Sequence, residues 1–228
     1  MRYHSSVWSS SSYQLTLHND QGEHRDYQIE LGQAQLHHPG HPPDAPSILA
    51  VHPSGSSYKQ WGALSSISGP GAFSGLFGVN MFGYGLSDRW DIGHRKQRIS
   101  DHVKMIIEAT EAANSSSSWH LIGHSMGAGA VLATAATRSE LSAKLSAVCV
   151  YEPNLFSLLL VGNTREQMAL AEGSVFFEQM MAAAASEDWD MWGRLFYKFW
   201  FDGKWDSVEE KAKKIQIQKK HKVTRQDR

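Results

Sequence analysis

"WHLIGHSMGAGAVLATAA", residues 119–136, decides the reading of this chain. Trp119 to Ile122 is a short apolar run that predicts a buried strand. Ala128 to Ala136 is alanine-rich, with Val131 and Leu132, and predicts a helix. Between them stands Gly123-His124-Ser125-Met126-Gly127, a G-x-S-x-G. A strand that passes directly into a helix must turn sharply, and glycines two before and two after the serine remove side chains that would collide. Ser125 is then expected to stand out at the top of a sheet. The helix N-terminus beneath it favours developing negative charge.

Working outward, the segment Ser47–Val51 is a second apolar strand, ending in the loop "HPSGSS". "GLFGVNMFGYGLSD" is a third, running into a glycine-rich turn, and "LSAVCVYEP" (145–153) a fourth, closed by Glu-Pro. Trp61, Leu64 and Ile67, then Ile99, Val103, Ile106 and Ile107, follow helical spacing. Alternation of strands and helices from 47 to 152 predicts right-handed crossovers and a mostly parallel sheet, an α/β class. Ligands of such sheets bind beyond the carboxyl ends of the strands. The loops 52–56, 80–88 and 124–127 all lie at such ends, so they are expected to converge on Ser125.

The flanks differ. Residues 1–24 are serine-rich and read as an N-terminal extension with one strand candidate, Tyr13–Leu17. "DYQIELGQAQLHH" alternates around a glycine and reads as a β-hairpin. From 163 the chain reads as helical: "REQMALAEGSVFFEQMMAAAA", then "WDMWGRLFYKFWFDGKW" with eight aromatics in 17 residues. Trp189, Trp192, Phe196 and Phe199 share one helical stripe, expected as a core stripe or as the apolar face of a lid over a substrate pocket. The expected organisation is an extension (1–24), an α/β core (25–152), a helical cap (153–207) and a basic tail (208–228).

Composition bounds the function. The 228 residues carry a net charge of −1, with 41% hydrophobic and 20% charged residues, as in ordinary globular proteins. The tail 208–228 carries +5, and the rest of the chain −6. A basic tail can touch nucleic acid or acidic lipid, but a solvated or frayed terminal helix is the simpler reading, and no nucleic-acid partner is expected. No run reaches the roughly 20 apolar residues of a membrane span, and no apolar leader region is visible, so a cytoplasmic location is expected. The single cysteine, Cys149, excludes an intramolecular disulfide, and its apolar surroundings predict a buried small hydrophobe. No metal or cofactor is expected.

Taken together, "VHPSGSSYKQW", "NMFGYGLSDRW", "GHSMG" and "VYEPNLF" resemble, in order, four motifs of the α/β-hydrolase fold family. These are the oxyanion loop after its third strand, the turn after its fourth, the nucleophile elbow, and the end of its sixth strand leading into a cap. The resemblance covers about residues 25–207. It implies that Ser125 is the nucleophile and that the backbone amides of Met126 and Ser54 form the oxyanion hole. It implies substrate contacts from His52, Trp189 and Trp192. Pro53 stands where the family usually has glycine, and Asn80 where it usually has Asp. A serine nucleophile argues against dehalogenase and epoxide hydrolase chemistry, whose family members use Asp.

A serine needs a base, and the base an orienting acid. The family's order is Ser, acid, His. Glu152 occupies a position where some relatives keep the acid. The only histidine after Ser125 is His221, in "KKHKV", which does not resemble the family's histidine loop. His52 and His124 are the upstream alternatives. No further buried strand is legible after residue 160, so the sheet is expected to be C-terminally incomplete, as in a truncated or spliced form of a longer hydrolase. Two functions follow. One is a serine hydrolase, impaired in this chain, acting on a small apolar ester, amide or related carbonyl compound through an acyl-enzyme. The other is an inactive homologue that binds a ligand or partner. Self-association through the exposed sheet edge is expected in either case.

Overall fold

A computed structural model describes residues 8–34, 44–67, 72–91, 93–113, 118–201 and 205–208. The chain divides into two compact units, Met1–Asn154 and Leu155–Arg228.

The first unit is built on a six-stranded sheet: β1 (Trp8–His18), β2 (His24–Ala34), β3 (Ser47–Val51), β4 (Gly75–Val79), β5 (Trp119–His124) and β6 (Leu145–Tyr151), in the order β1-β2-β4-β3-β5-β6. β1 and β2 form an antiparallel pair, β2 meets β4 antiparallel, and β4, β3, β5 and β6 run parallel. Every residue of β3 and β4 is buried, as continuous apolar strands in a covered parallel sheet must be.

Helices connect these strands. α1 (Leu64–Ile67) follows a 3-10 segment at Tyr58–Ala63, and α2 (Ile99–Ala113) precedes β5. α3 (Met126–Ala136) and α4 (Glu140–Ala143) lie between β5 and β6. One core holds Leu15, Tyr27, Ile29, Leu49, Val51, Leu121, Met105, Ile106 and Val131. A second holds Ile48, Ala50, Phe73 and Leu76, with Trp61 and Leu64 packed on it. The mostly parallel α/β reading of the sequence therefore holds.

Three expectations are corrected. Trp8–His18 is a sheet strand rather than an extension. It pairs with β2 over its whole length, and Tyr13 Oη donates to the Met105 carbonyl at 2.6 Å. Residues 26–34 do not fold into a hairpin but belong to one long strand, β2; residues 35–38 of the expected hairpin lie outside the described residues. Gly32 is not a turn: a Cβ there would stand 2.4 Å from Cε2 of Tyr58, so the glycine admits the tyrosine ring onto the sheet. Cys149 is exposed, not buried. It sits on β6, which among the described strands has a neighbour on one side only, and Ser146 to Cys149 are all exposed.

The second unit holds α5 (Thr164–Ala185) and α6 (Trp189–Phe201), preceded by a 3-10 turn at Phe156–Val161. Asn163 caps α5 reciprocally with Glu166. Phe176 of α5 stacks on Phe199 of α6 at 4.0 Å. Trp205 packs where a Cβ on Gly193 would be 2.4 Å from its ring, and its Nε1 donates to Asp190.

Candidate active site

Ser125 joins β5 to α3 with φ 53° and ψ −115°, a conformation that side-chain-bearing residues seldom hold. Its backbone is fixed from several directions. Its N–H donates to the Tyr151 carbonyl at 2.9 Å, and its carbonyl accepts from Gly129 (3.1 Å) and Asn154 (3.2 Å). The flanking glycines are required by contact. A Cβ on Gly123 would lie 2.6 Å from the Ala128 Cα. One on Gly127 would lie 2.5 Å from the Val51 carbonyl oxygen and 2.6 Å from that of His52. The G-x-S-x-G therefore lets α3 rise directly against β3 and β5 with Ser125 at the corner.

The loop after β3 closes on this corner. Ser54 Oγ lies 3.7 Å from Sδ of Met126, the residue after the elbow serine. Tyr84, from the turn after β4, holds the loop in place: its hydroxyl accepts from the Gly55 N–H at 3.2 Å. Burial pushes the Tyr84 phenol up, partly offset by hydrogen bonds from Gly55 and Ser54. Tyr84 does not stand out in the sequence as a site residue. Its one visible signal is an aromatic between two glycines, Gly83 and Gly85, both with positive φ.

His52 is fully buried. Its Nε2 accepts from the Met81 N–H at 3.1 Å, and its Nδ1 faces the Pro53 carbonyl at 2.8 Å. That pairing fixes the neutral tautomer with the proton on Nδ1. His52 thus ties the loop after β3 to the turn after β4, with both ring nitrogens engaged.

His124 and Glu152 are brought together. The Glu152 carboxylate lies 3.7 Å from His124 Nε2, and the imidazole leans on Tyr151 with ring centroids 4.9 Å apart. Glu152 also has a positive φ, 47°, at the end of β6. His221 lies outside the described residues. In the second unit Trp189 is buried, and Trp192 stacks on Phe196 at 5.1 Å.

Behind the site, the turn after β4 hangs on a buried polar cluster. Glu30 accepts from Asn80 Nδ2 (2.7 Å), from the Leu86 N–H (2.7 Å) and from the Tyr58 hydroxyl (3.1 Å). Asn80 Oδ1 accepts from the Tyr58 N–H at 3.0 Å. Burial, with the Glu30 charge beside it, pushes the Tyr58 phenol up to about 12.

Among the described residues no group of three or more His, Cys, Asp or Glu side chains could hold a metal, and no helix is long and apolar enough to cross a membrane.

No family model matches the sequence, and no curated protein matches it. Solved structures do match the fold. An Asp-to-Ser variant of aCif aligns with TM-score 0.60 at 14% identity over 97% of this chain and 62% of its own. A putative aryl esterase from Burkholderia cenocepacia aligns at 0.58 and 12% identity over 93% and 68%. A probable hydrolytic enzyme from Pseudomonas aeruginosa aligns at 0.53 and 14% identity over 95% and 61%. This chain thus spans about three fifths of the length of the first and third. At such identities the likeness is one of fold, and the chain has the α/β-hydrolase fold.

Proposed function

We propose that this chain is a serine hydrolase of low turnover, acting on a small apolar ester, amide or related carbonyl compound. Ser125 Oγ attacks the carbonyl carbon, and its proton ends on the alcohol or amine that departs. The amides of Ser54 and Met126 stabilise the oxyanion, the leaving group departs, and water releases the acid from the acyl-serine. The observation that carries the reading is the strained Ser125 backbone at the strand-to-helix corner, locked by Gly123 and Gly127. A plain connecting turn has no use for such strain. The hydrolase neighbours, an aryl esterase among them, support the choice of acyl chemistry.

Turnover is low because no histidine follows Ser125 before the tail. Loss of a triad base costs on the order of 10⁴ to 10⁶ in turnover, with oxyanion stabilisation leaving a remainder. The test is labelling with a fluorophosphonate, located by mass spectrometry, alongside hydrolysis of a short nitrophenyl ester. The expected outcome is a slow adduct on Ser125 and slow turnover, both lost in Ser125→Ala. Parallel variants His221→Ala and His124→Ala assign the base if either abolishes the remainder. A folded chain that takes no adduct at Ser125 overturns the proposal and leaves the second reading, a non-catalytic binding chain. The exposed outer strand β6 favours that alternative.

A further inference from the structure

The chain that leaves β6 grips the candidate nucleophile. In a regular parallel pair a residue bonds both neighbours of the residue opposite: its N–H donates to the carbonyl of one, and its carbonyl accepts from the N–H of the other. His124 pairs with Tyr151, so Ser125 stands opposite Glu152. The first of the two bonds is present, from the Ser125 N–H to the Tyr151 carbonyl at 2.9 Å. The second would have to come from residue 153, which is a proline and has no N–H. Asn154 supplies it instead, its N–H donating to the Ser125 carbonyl at 3.2 Å. Gly129 admits this close approach on the side of α3, where a Cβ would stand 3.2 Å from the Asn154 carbonyl oxygen.

Between the two bonding residues lies Glu152, with a φ of 47°. A residue before a proline is pushed toward extended backbone, and a residue with a Cβ seldom takes a positive φ. Glu152 therefore holds a conformation that its own side chain and its successor both disfavour. Its carboxylate does not behave as the orienting acid of a serine nucleophile, which works buried against the base. The Glu152 side chain is 68% exposed, and its carboxylate lies 3.7 Å from Nε2 of His124, the residue before the serine. Resting on the reading of Ser125 as the nucleophile, we infer that Glu152 is a positioning residue through its backbone: its left-handed bend carries the chain past Pro153, so that residues 151 and 154 hold both polar backbone groups of Ser125. The carboxylate is dispensable.

Three variants of the full chain separate the bend from the carboxylate. Glu152→Gly removes the carboxylate and adopts the positive φ freely, Glu152→Gln keeps the shape without the charge, and β-branched Glu152→Val resists the bend. Fluorophosphonate labelling of Ser125 is resolved into a maximal rate and a half-saturating probe concentration, and hydrogen exchange of the Ser125 and Asn154 amides is followed by NMR. Glu152→Gly and Glu152→Gln are expected to label within about twofold of the parent, and Glu152→Val about tenfold more slowly at saturation with its half-saturating concentration unchanged. The two amides are expected to exchange faster in Glu152→Val alone. Labelling that falls in Glu152→Gly and Glu152→Gln overturns the inference, because the carboxylate is then the working group. So does a Glu152→Val chain with parent rates and both amides protected. Circular dichroism shows whether Glu152→Val folds, and if it does not, the glycine and glutamine rates decide. A parent chain that takes no adduct at Ser125 removes the hydrolase reading, and the exchange of the two amides then decides the role of the bend by itself.

Discussion

Asn80 Nδ2 donates to Glu30 Oε2 over 2.7 Å, and both residues are buried. The asparagine stands where the resemblance leads one to expect an aspartate, and Glu30 explains the exchange. With a carboxylate already on β2, a second one in the turn after β4 would face it across a hydrogen-bond distance. Two carboxylates so placed cannot both ionise at little cost. Gly85 belongs to the same arrangement, since a Cβ there would lie 2.0 Å from Asn80 Nδ2 and 2.2 Å from Glu30 Oε2.

Asn80→Asp is therefore expected to destabilise the chain by about 3 kcal/mol at neutral pH, the scale of an uncompensated buried charge. Adding Glu30→Gln should recover most of that loss by restoring a donor between positions 30 and 80. Urea unfolding of the parent and the two variants at pH 7 checks this. Equal stability of Asn80→Asp and the parent at pH 7 would refute it.

Ser125 gives an opposite kind of expectation. Its φ of 53° with ψ of −115° lies outside even the left-handed helical region that asparagine and aspartate tolerate. Replacing it by glycine should raise stability by about 1 kcal/mol, because glycine relieves the strain. Ser125→Ala should give no such gain, since its Cβ remains. Both should lose the fluorophosphonate adduct. Thermal melts of the two variants side by side separate strain from the loss of the hydroxyl. A Ser125→Gly chain no more stable than Ser125→Ala would mean that the corner is not strained.

The elbow was legible in the sequence because its requirement is local. Two glycines, a strand and a helix within 18 residues leave few geometries open. β3 and β4 were legible because fully buried strands are continuous apolar runs. β1 was harder to read: its first half, Trp8-Ser-Ser-Ser-Ser, is polar, and it belongs to the sheet through its long pairing with β2. Gly32 misled for a related reason. A glycine among alternating residues signals either a turn or a close approach, and the ring that approaches, Tyr58, lies 26 positions away. The roles of His52 and Glu30 rest on partners in distant loops, Met81 and Asn80, and no spacing rule reports them. Cys149 was misread because an apolar strand looks the same whether it has two neighbours or one.

His102 supplies the pH dependence. It lies in α2, packed on Phe82, and burial lowers its pKa from 6.5 to about 4, against a smaller opposing pull from the Asp101 charge. The folded chain thus holds this imidazole neutral between pH 4 and 6.5, whereas the unfolded chain protonates it. The unfolded state binds more protons in that window, so stability is full above about pH 6.5 and is lost as pH falls toward 4. At about 1.4 kcal/mol per pH unit, the accumulated loss is roughly 3 kcal/mol. His102→Phe, which keeps an aromatic ring beside Phe82, should flatten the stability curve between pH 6.5 and 5. Denaturant titrations of the parent and the variant at half-unit intervals would measure both slopes, and parallel curves from pH 6.5 to 5 would rule His102 out as their source.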